Sequence, residues 1–361
     1  MSKNLRFLGL KSPSTYIIGN CQTMSKPSFW SDAPAIGWPT YLWRKIFGSP
    51  AEPALLSPTT ALPHTPIPSN TSYSVGRADP VHAASYSAFL EKYFYEPSLG
   101  ITLKIPPEVI ERYLRSKQWI GVDLRSQVSG HIIGCVFSKA AGYIRFEGEV
   151  QSCGVVDYLC VDGAWRGRGL VYVLLRSLYA YSVETDGRYV QFFKKEGGFS
   201  LLPPLTHTHY IGRRLPNSGS ASTVKKLDRL TWFNFLQMSK MEDSTYIGLT
   251  NYNPNYETEL MVASYNDCHV IYKPTWEHTN EDISSSHAIV VAWYGLEDAS
   301  TCYEKALDTI PHSYIYAPTT FPYDKNAGSG FWTMKGSIGL YAFHLDPGVP
   351  YTRAVYSQLT A

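Results

Sequence analysis

Between Val155 and Tyr181 an apolar stretch, Val155-Val156-Asp157-Tyr158-Leu159-Cys160-Val161, passes through Asp162-Gly163-Ala164-Trp165 into Arg166-Gly167-Arg168-Gly169-Leu170. It continues into a segment with Leu170, Val173, Leu174 and Leu178 at helical spacing. No other part of the chain restricts the fold so much, because a buried strand must here feed a short loop that opens an amphipathic helix. Glycines let such a loop turn its N–H groups inward, the helix N-terminus adds partial positive charge, and two arginines flank it. The combination is an anion site and suits a pyrophosphate. Arg-Gly-x-Gly alone is equally a tight turn; the strand before it and the helix behind it favour the anion site.

The patterning around this unit is α+β. The first 80 residues hold 11 of the 24 prolines, and proline locks φ and removes backbone donors. Residues 26–80 therefore read as an extended arm laid over the rest. His82 to Phe94 is a predicted helix with Phe89, Leu90, Tyr93 and Phe94 on one face. Pro106-Pro107-Glu108 opens a second, whose apolar positions are Val109, Ile110, Tyr113 and Leu114. Strands are predicted at Trp119–Leu124, His131–Phe137, Tyr143–Val150 and Gly154–Val161, then a helix at Arg168–Tyr181 and a strand at Tyr189–Phe193. The polar, turn-rich segment Pro216–Thr223 is the expected linker. Beyond it, Leu260–Ser264, Val270–Tyr272, Ala288–Tyr294 and Ser337–Leu345 read as strands and Ser300–Thr309 as a helix.

Composition excludes some function classes. The net charge of +2 and the 17% charged residues, against about 25% in an average soluble chain, argue against a nucleic-acid binder. The many aromatics, 27 Tyr, 15 Phe and 9 Trp, suit an amphipathic cavity or an aromatic core. Cys21, Cys135, Cys153, Cys160, Cys268 and Cys302 form no Cys-x-x-Cys pair, so reduced thiols in a cytoplasmic protein are expected. Met1–Leu10 carries Lys3 and Arg6 without a sustained apolar run, so no secretory signal is expected. No stretch is apolar enough to span a membrane, and position 2 is not Gly. No metal site is expected: His207-Thr208-His209 lacks a spaced partner pair and reads as loop histidines. Cys160 reads as a buried strand cysteine, and Lys225, Lys226 and Arg229 as solvated surface.

The strand–loop–helix resembles the coenzyme A loop of the GNAT acyltransferase superfamily. Tyr158-Leu159-Cys160-Val161 followed by the arginine loop resembles the Phe-Leu-Cys-Val segment of the glycylpeptide N-tetradecanoyltransferase, or protein N-myristoyltransferase, family. Other landmarks follow in order. Phe29-Trp30-Ser31-Asp32-Ala33-Pro34 is similar to the family's Phe-Trp-x-x-x-Pro arm, and Pro68 and Pro107-Glu108 before Tyr113-Leu114 keep its spacing. Leu202-Pro203-Pro204 and Tyr210–Leu215 resemble its Leu-Pro-x-Pro and Tyr-Trp-His-Arg-x-Leu elements. Tyr272-Lys273-Pro274-Thr275 and Leu340-Tyr341-Ala342-Phe343 resemble its Tyr-Thr-Leu-Pro and Leu-Tyr-Asn-Trp segments.

The resemblance implies two GNAT-like lobes related by a pseudo-two-fold, with a mixed, mostly antiparallel sheet flanked by helices. Residues 1–80 would be an arm on the coenzyme site, 81–215 a lobe binding acyl-CoA, and 224–361 a lobe binding peptide. The expected activity is transfer of a myristoyl group from myristoyl-CoA, a co-substrate, to the N-terminal glycine amine of a protein or peptide by a monomer. Phe29 and Trp30 would fold over the coenzyme. Cys160, Val161, Arg166, Gly167, Arg168, Gly169, Leu170 and Val171 would line it, and the amides of Tyr158 and Leu159 would form the oxyanion hole. The base would be the chain's C-terminal carboxylate at Ala361, carried on an uncharged tail. The family has Asn where this chain has Asp157, an added carboxylate that could hold the ammonium, serve as base, or be an ordinary strand-end acid. Pro97-Ser98-Leu99-Gly100 replaces the family's acidic run, and Tyr210-Ile211-Gly212-Arg213 lacks its histidine. Transfer from a shorter acyl-CoA, or acyl-CoA binding without catalysis, are the alternatives.

Overall fold

The structure, a computed structural model, describes residues 41–43, 54–55, 67–95, 100–146, 149–188, 190–196, 202, 204–215, 224–226, 247–248, 260–279, 286–295, 300–323, 332–343 and 345–346. Phe29, Trp30, the segment 216–223, Arg229, Pro97–Leu99 and Ala361 lie outside the described residues.

Among the described residues the main helices are α1 (Ala83–Tyr93), α2 (Pro107–Arg115), α3 (Leu170–Asp186) and α4 (Ser300–Leu307). The main strands of the first half are β1 (Tyr73–Arg77), β2 (Trp119–Ser126), β3 (Ile132–Phe146), β4 (Glu149–Val161), β5 (Val190–Glu196) and β6 (Thr206–Arg214). Those of the second are β7 (Met261–Tyr265), β8 (Cys268–Thr279), β9 (Ser286–Tyr294), β10 (Tyr314–Pro318) and β11 (Thr333–Phe343). They join one sheet in the order β1-β2-β3-β4-β5-β11-β6-β10-β9-β8-β7. Among the described residues only β4–β5 and β9–β10 are parallel, each joined through a helix, α3 or α4. The architecture is therefore α+β on a mixed, mostly antiparallel sheet.

The order reads the same from both ends toward a centre between β11 and β6. Each half crosses into the other there: β6 follows β5 in the chain but pairs with β10, while β11 follows β10 but pairs with β5. The halves are thus interlocked in a pseudo-two-fold arrangement rather than strung side by side. A separate pairing of Ala54–Leu55 with Leu345–Asp346 ties the proline-rich arm to the far end of the chain.

Local chemistry explains the helices. α2 begins with Pro107 and Glu108 and ends with Arg112 and Arg115, each suited to its end of the helix dipole, and its four expected apolar residues are buried. α3 starts only at Leu170, because Gly167 and Gly169 at φ 76 and 77 hold the preceding backbone in the left-handed region. It ends at Gly187, φ 65, whose N–H donates back to the Val183 carbonyl at 3.0 Å.

Two expectations are corrected. Tyr143–Val150 is not one strand: β3 and β4 form a single long hairpin, with Phe146 opposite Glu149 across its connection. His207 and His209 lie on strand β6, not in a loop, and His209 is exposed.

α3 packs Leu170, Val173, Leu174 and Leu178 on one face of the sheet, against Ile120, Val122, Leu124, Val136, Val156 and Val161. α1 and α2 cover the other face with Tyr86, Phe89, Leu90, Ile110 and Tyr113, against Trp119, Cys135, Phe137, Tyr158 and Cys160. α4 lies on the second half, over Val270, Tyr272, Val290 and Ile315.

Candidate functional site

Side chains of a regular strand alternate between faces. Along β4, Val156 faces α3, yet Tyr158 and Cys160 face α1 and α2, while Val161 faces α3 again. The parity breaks because Cys160 is opposite Cys135 and Asp157 opposite Phe137, so Tyr158 and Leu159 together oppose the single residue Val136. This is a β-bulge, and Tyr158 occupies it at φ 54, a left-handed conformation that costs a side-chain-bearing residue about 1–2 kcal/mol. Packing enforces it: the buried Tyr158 ring lies 5.4 Å from Trp119, 5.9 Å from Phe94 and 6.5 Å from Phe137.

The sheet opens at the same point. β4 and β5 pair only over Cys153–Val156 with Val190–Phe193. Past Val156, β4 keeps only β3, while β5 runs on along β11, with Lys194 opposite Leu340. The result is a wedge between two diverging parallel strands with the bulge on its wall.

Asp157 stands at the mouth of the wedge. Its Oδ2 accepts from Lys139 Nζ at 2.7 Å and lies 3.7 Å from Lys194 Nζ; its Oδ1 accepts from the Tyr158 N–H at 2.9 Å. Burial would raise this carboxyl's pKa, but the two lysines and the amide overcome it and hold the group well below the usual carboxylate range. In this state Asp157 is a weak base at neutral pH. Lys139 escaped sequence reasoning, although a lone cation within the apolar run Ile132–Ala140 is a signal. It is opposite Val155, hence diagonal to Asp157 on the same face. Its ammonium also sits 3.8 Å from the Tyr158 ring centre and 5.1 Å from Trp119.

β4 leads directly into the glycine loop. The Asp162 carboxylate accepts from Ala164 N–H at 3.0 Å and caps one turn of 3-10 helix, Gly163–Trp165. Arg166 then folds back, donating from Nε to the Val161 carbonyl at 3.1 Å and from Nη2 to the Tyr93 carbonyl at 3.4 Å. Arg168 donates to the Ala164 carbonyl at 3.3 Å and covers the Trp165 ring at 4.7 Å. Of the first-turn N–H groups of α3, that of Tyr172 donates to the Gly169 carbonyl at 3.1 Å, and the i−4 positions that would otherwise accept from them precede the helix. These N–H groups lie beside two left-handed glycines, and Arg166 to Gly169 and Val171 are exposed while Leu170 is buried. Cys160 is buried, and burial pushes its thiol up to about 12, so it is no nucleophile at neutral pH.

The structure therefore brings together, at one end of β4, a glycine-flanked helix N-terminus, a strained bulge and a wedge between parallel strands. Among the described residues no group of His, Cys, Asp and Glu is arranged to hold a metal ion. No helix there is long and apolar enough to cross a membrane.

Two strand–helix–strand units with parallel strands, β4–α3–β5 and β9–α4–β10, face each other across the pseudo-two-fold, and solved structures share this fold. The fold is that of the N-myristoyltransferases. The crystal structure of Saccharomyces cerevisiae N-myristoyltransferase with bound myristoyl-CoA superposes at a TM-score of 0.61, covering 90% of this chain and 93% of that chain at 12% identity. A second structure of the yeast protein with bound myristoyl-CoA gives 0.59 over 82% and 85% of the two chains, again at 12% identity. No protein-family model and no curated protein matches the sequence.

Proposed function

We propose that this protein is an acyltransferase that moves a myristoyl group from myristoyl-CoA to the N-terminal glycine amine of a protein or peptide. The observation that carries the reading is the coincidence at the end of β4: the wedge, the bulge and the α3 N-terminus adjoin one another on a fold shared with a protein solved with myristoyl-CoA bound. In this reading the N–H groups after Gly167 and Gly169, with Arg168, hold the coenzyme phosphates, and Cys160, Val161, Leu170 and Val171 border them. The thioester lies in the wedge, where its carbonyl meets the amides of Tyr158 and Leu159. Phe29 and Trp30 close over the coenzyme from the arm. The acceptor lies against the second half, residues 224–361, and the Ala361 carboxylate takes the amine's proton. The protein acts as a cytoplasmic monomer. The depressed pKa of Asp157 supports Ala361 over Asp157 as base.

The test is binding followed by turnover. A non-hydrolysable myristoyl-CoA analogue should raise the melting temperature by mass action, and acetyl-CoA should do so much less. Mass spectrometry should then find a myristoyl adduct on glycine-initiated peptides. Equal response to acetyl-CoA would transfer the reading to a short-chain acyltransferase; binding without any adduct would leave an acyl-CoA-binding protein.

A further inference from the structure

The Asp157 carboxylate touches two donors at once, the Tyr158 amide at 2.9 Å through Oδ1 and the Lys139 ammonium at 2.7 Å through Oδ2. Lys139 is half-buried, and the amide belongs to the buried Tyr158, whose left-handed backbone is held by packing. A main-chain N–H and a cation converging on one anionic oxygen pair is the arrangement that stabilises a tetrahedral oxyanion. We infer that the Tyr158 amide and the Lys139 ammonium form an anion-binding nook in which the Asp157 carboxylate stands in for the acyl carbonyl oxygen, making Lys139 a catalytic residue and Asp157 its resident competitor. The inference rests on the acyl-transfer reading and deepens it.

In the reaction, the amine nitrogen attacks the thioester carbon and the carbonyl π pair moves onto oxygen. That oxygen displaces Asp157 Oδ1 from the Tyr158 amide and takes its negative charge between the amide and Lys139. The oxyanion then collapses, the C–S bond breaks, and the amine's surplus proton ends on the departing sulfur. Products are an amide and free coenzyme A. Asp157, set aside, keeps Lys194 as its partner at 3.7 Å.

A double-mutant cycle tests this, with Asp157→Asn, Lys139→Met and the pair together, in the full chain. Three readouts are needed: calorimetric affinity for a non-hydrolysable myristoyl-CoA analogue, single-turnover transfer from myristoyl-CoA to a glycine-initiated peptide, and the infrared stretch of a 13C-labelled thioester carbonyl bound without acceptor. A charge-assisted hydrogen bond is roughly twice as strong as a neutral one, so Asp157→Asn should accelerate transfer about fivefold and shift the stretch to lower frequency, with analogue affinity no weaker than wild type. Lys139→Met should slow transfer about a hundredfold in either background, the usual effect of removing one oxyanion donor.

If Lys139→Met is harmless in the Asn background, Lys139 only neutralises Asp157 and the inference is overturned. Loss of transfer in Asp157→Asn with affinity intact overturns it as well. Should Lys139→Met fail to fold, the stretch in Asp157→Asn decides alone. No analogue binding by the wild-type protein removes the acyl-transfer reading and this inference with it. Binding with an unshifted stretch removes this inference only.

Discussion

Gly169→Ala isolates the backbone contribution of the glycine loop. A Cβ built there meets nothing within 4 Å, so the substitution introduces no clash; what it opposes is φ 77. A left-handed conformation costs an alanine about 1–2 kcal/mol. That energy must emerge in one of two places. If packing holds the loop rigid in the free protein, stability falls by the full amount and coenzyme affinity is unchanged. If the free loop relaxes to negative φ, stability is preserved and the strain is borne on binding, where about 1–2 kcal/mol weakens affinity roughly five- to thirtyfold. The sum of the two losses should therefore be about 1–2 kcal/mol whichever regime applies. Urea denaturation measures the first term and calorimetry with coenzyme A the second. Asn tolerates the left-handed region, so Gly169→Asn should recover part of the loss. Unchanged stability and affinity in Gly169→Ala, or equal behaviour of Ala and Asn, would refute a left-handed requirement at this position.

Three further outcomes are expected. Arg168→Ala should weaken acyl-CoA binding severalfold and flatten its salt dependence, whereas Arg166→Ala should also lower the melting temperature, because Arg166 braces the Val161 and Tyr93 carbonyls; titrations at two ionic strengths and a melting curve separate them. Tyr86→Phe should destabilise by about 1–3 kcal/mol in urea, since the Tyr86 hydroxyl donates to buried Asp123 at 2.8 Å and accepts the Asp79 N–H at 3.1 Å. Burial lowers His312 to about 4, beside Ser286 Oγ at 2.9 Å. An unfolded histidine titrates near about 6.5, so on acidification the unfolded chain takes the proton first. The contribution of His312 is whole above about pH 6.5 and lost as pH falls toward about 4; His312→Gln should flatten stability against pH in that window, and an unaltered slope would exclude His312 as a source.

What was legible in the sequence was local. Helices α2 and α3 declare themselves because an apolar stripe, a proline at the first turn and a glycine at each left-handed end all act within one or two turns of chain. The glycine loop between β4 and α3 is legible for the same reason: its conformation depends on its own residues. Tertiary structure decided the rest. A bulge has no signature in Asp157-Tyr158-Leu159; it exists only as a register shift against Val136 and is held by rings from Phe94 at the end of α1, from β2 and from β3. Lys139 and Asp157 are 18 residues apart and meet only because the hairpin pairs Lys139 with Val155. The exchange of β6 and β11 between halves likewise depends on pairings across 100 residues or more, for which alternation within a strand carries no address. Periodicity says which face of a segment is apolar; which partner covers that face is settled by packing the whole chain at once.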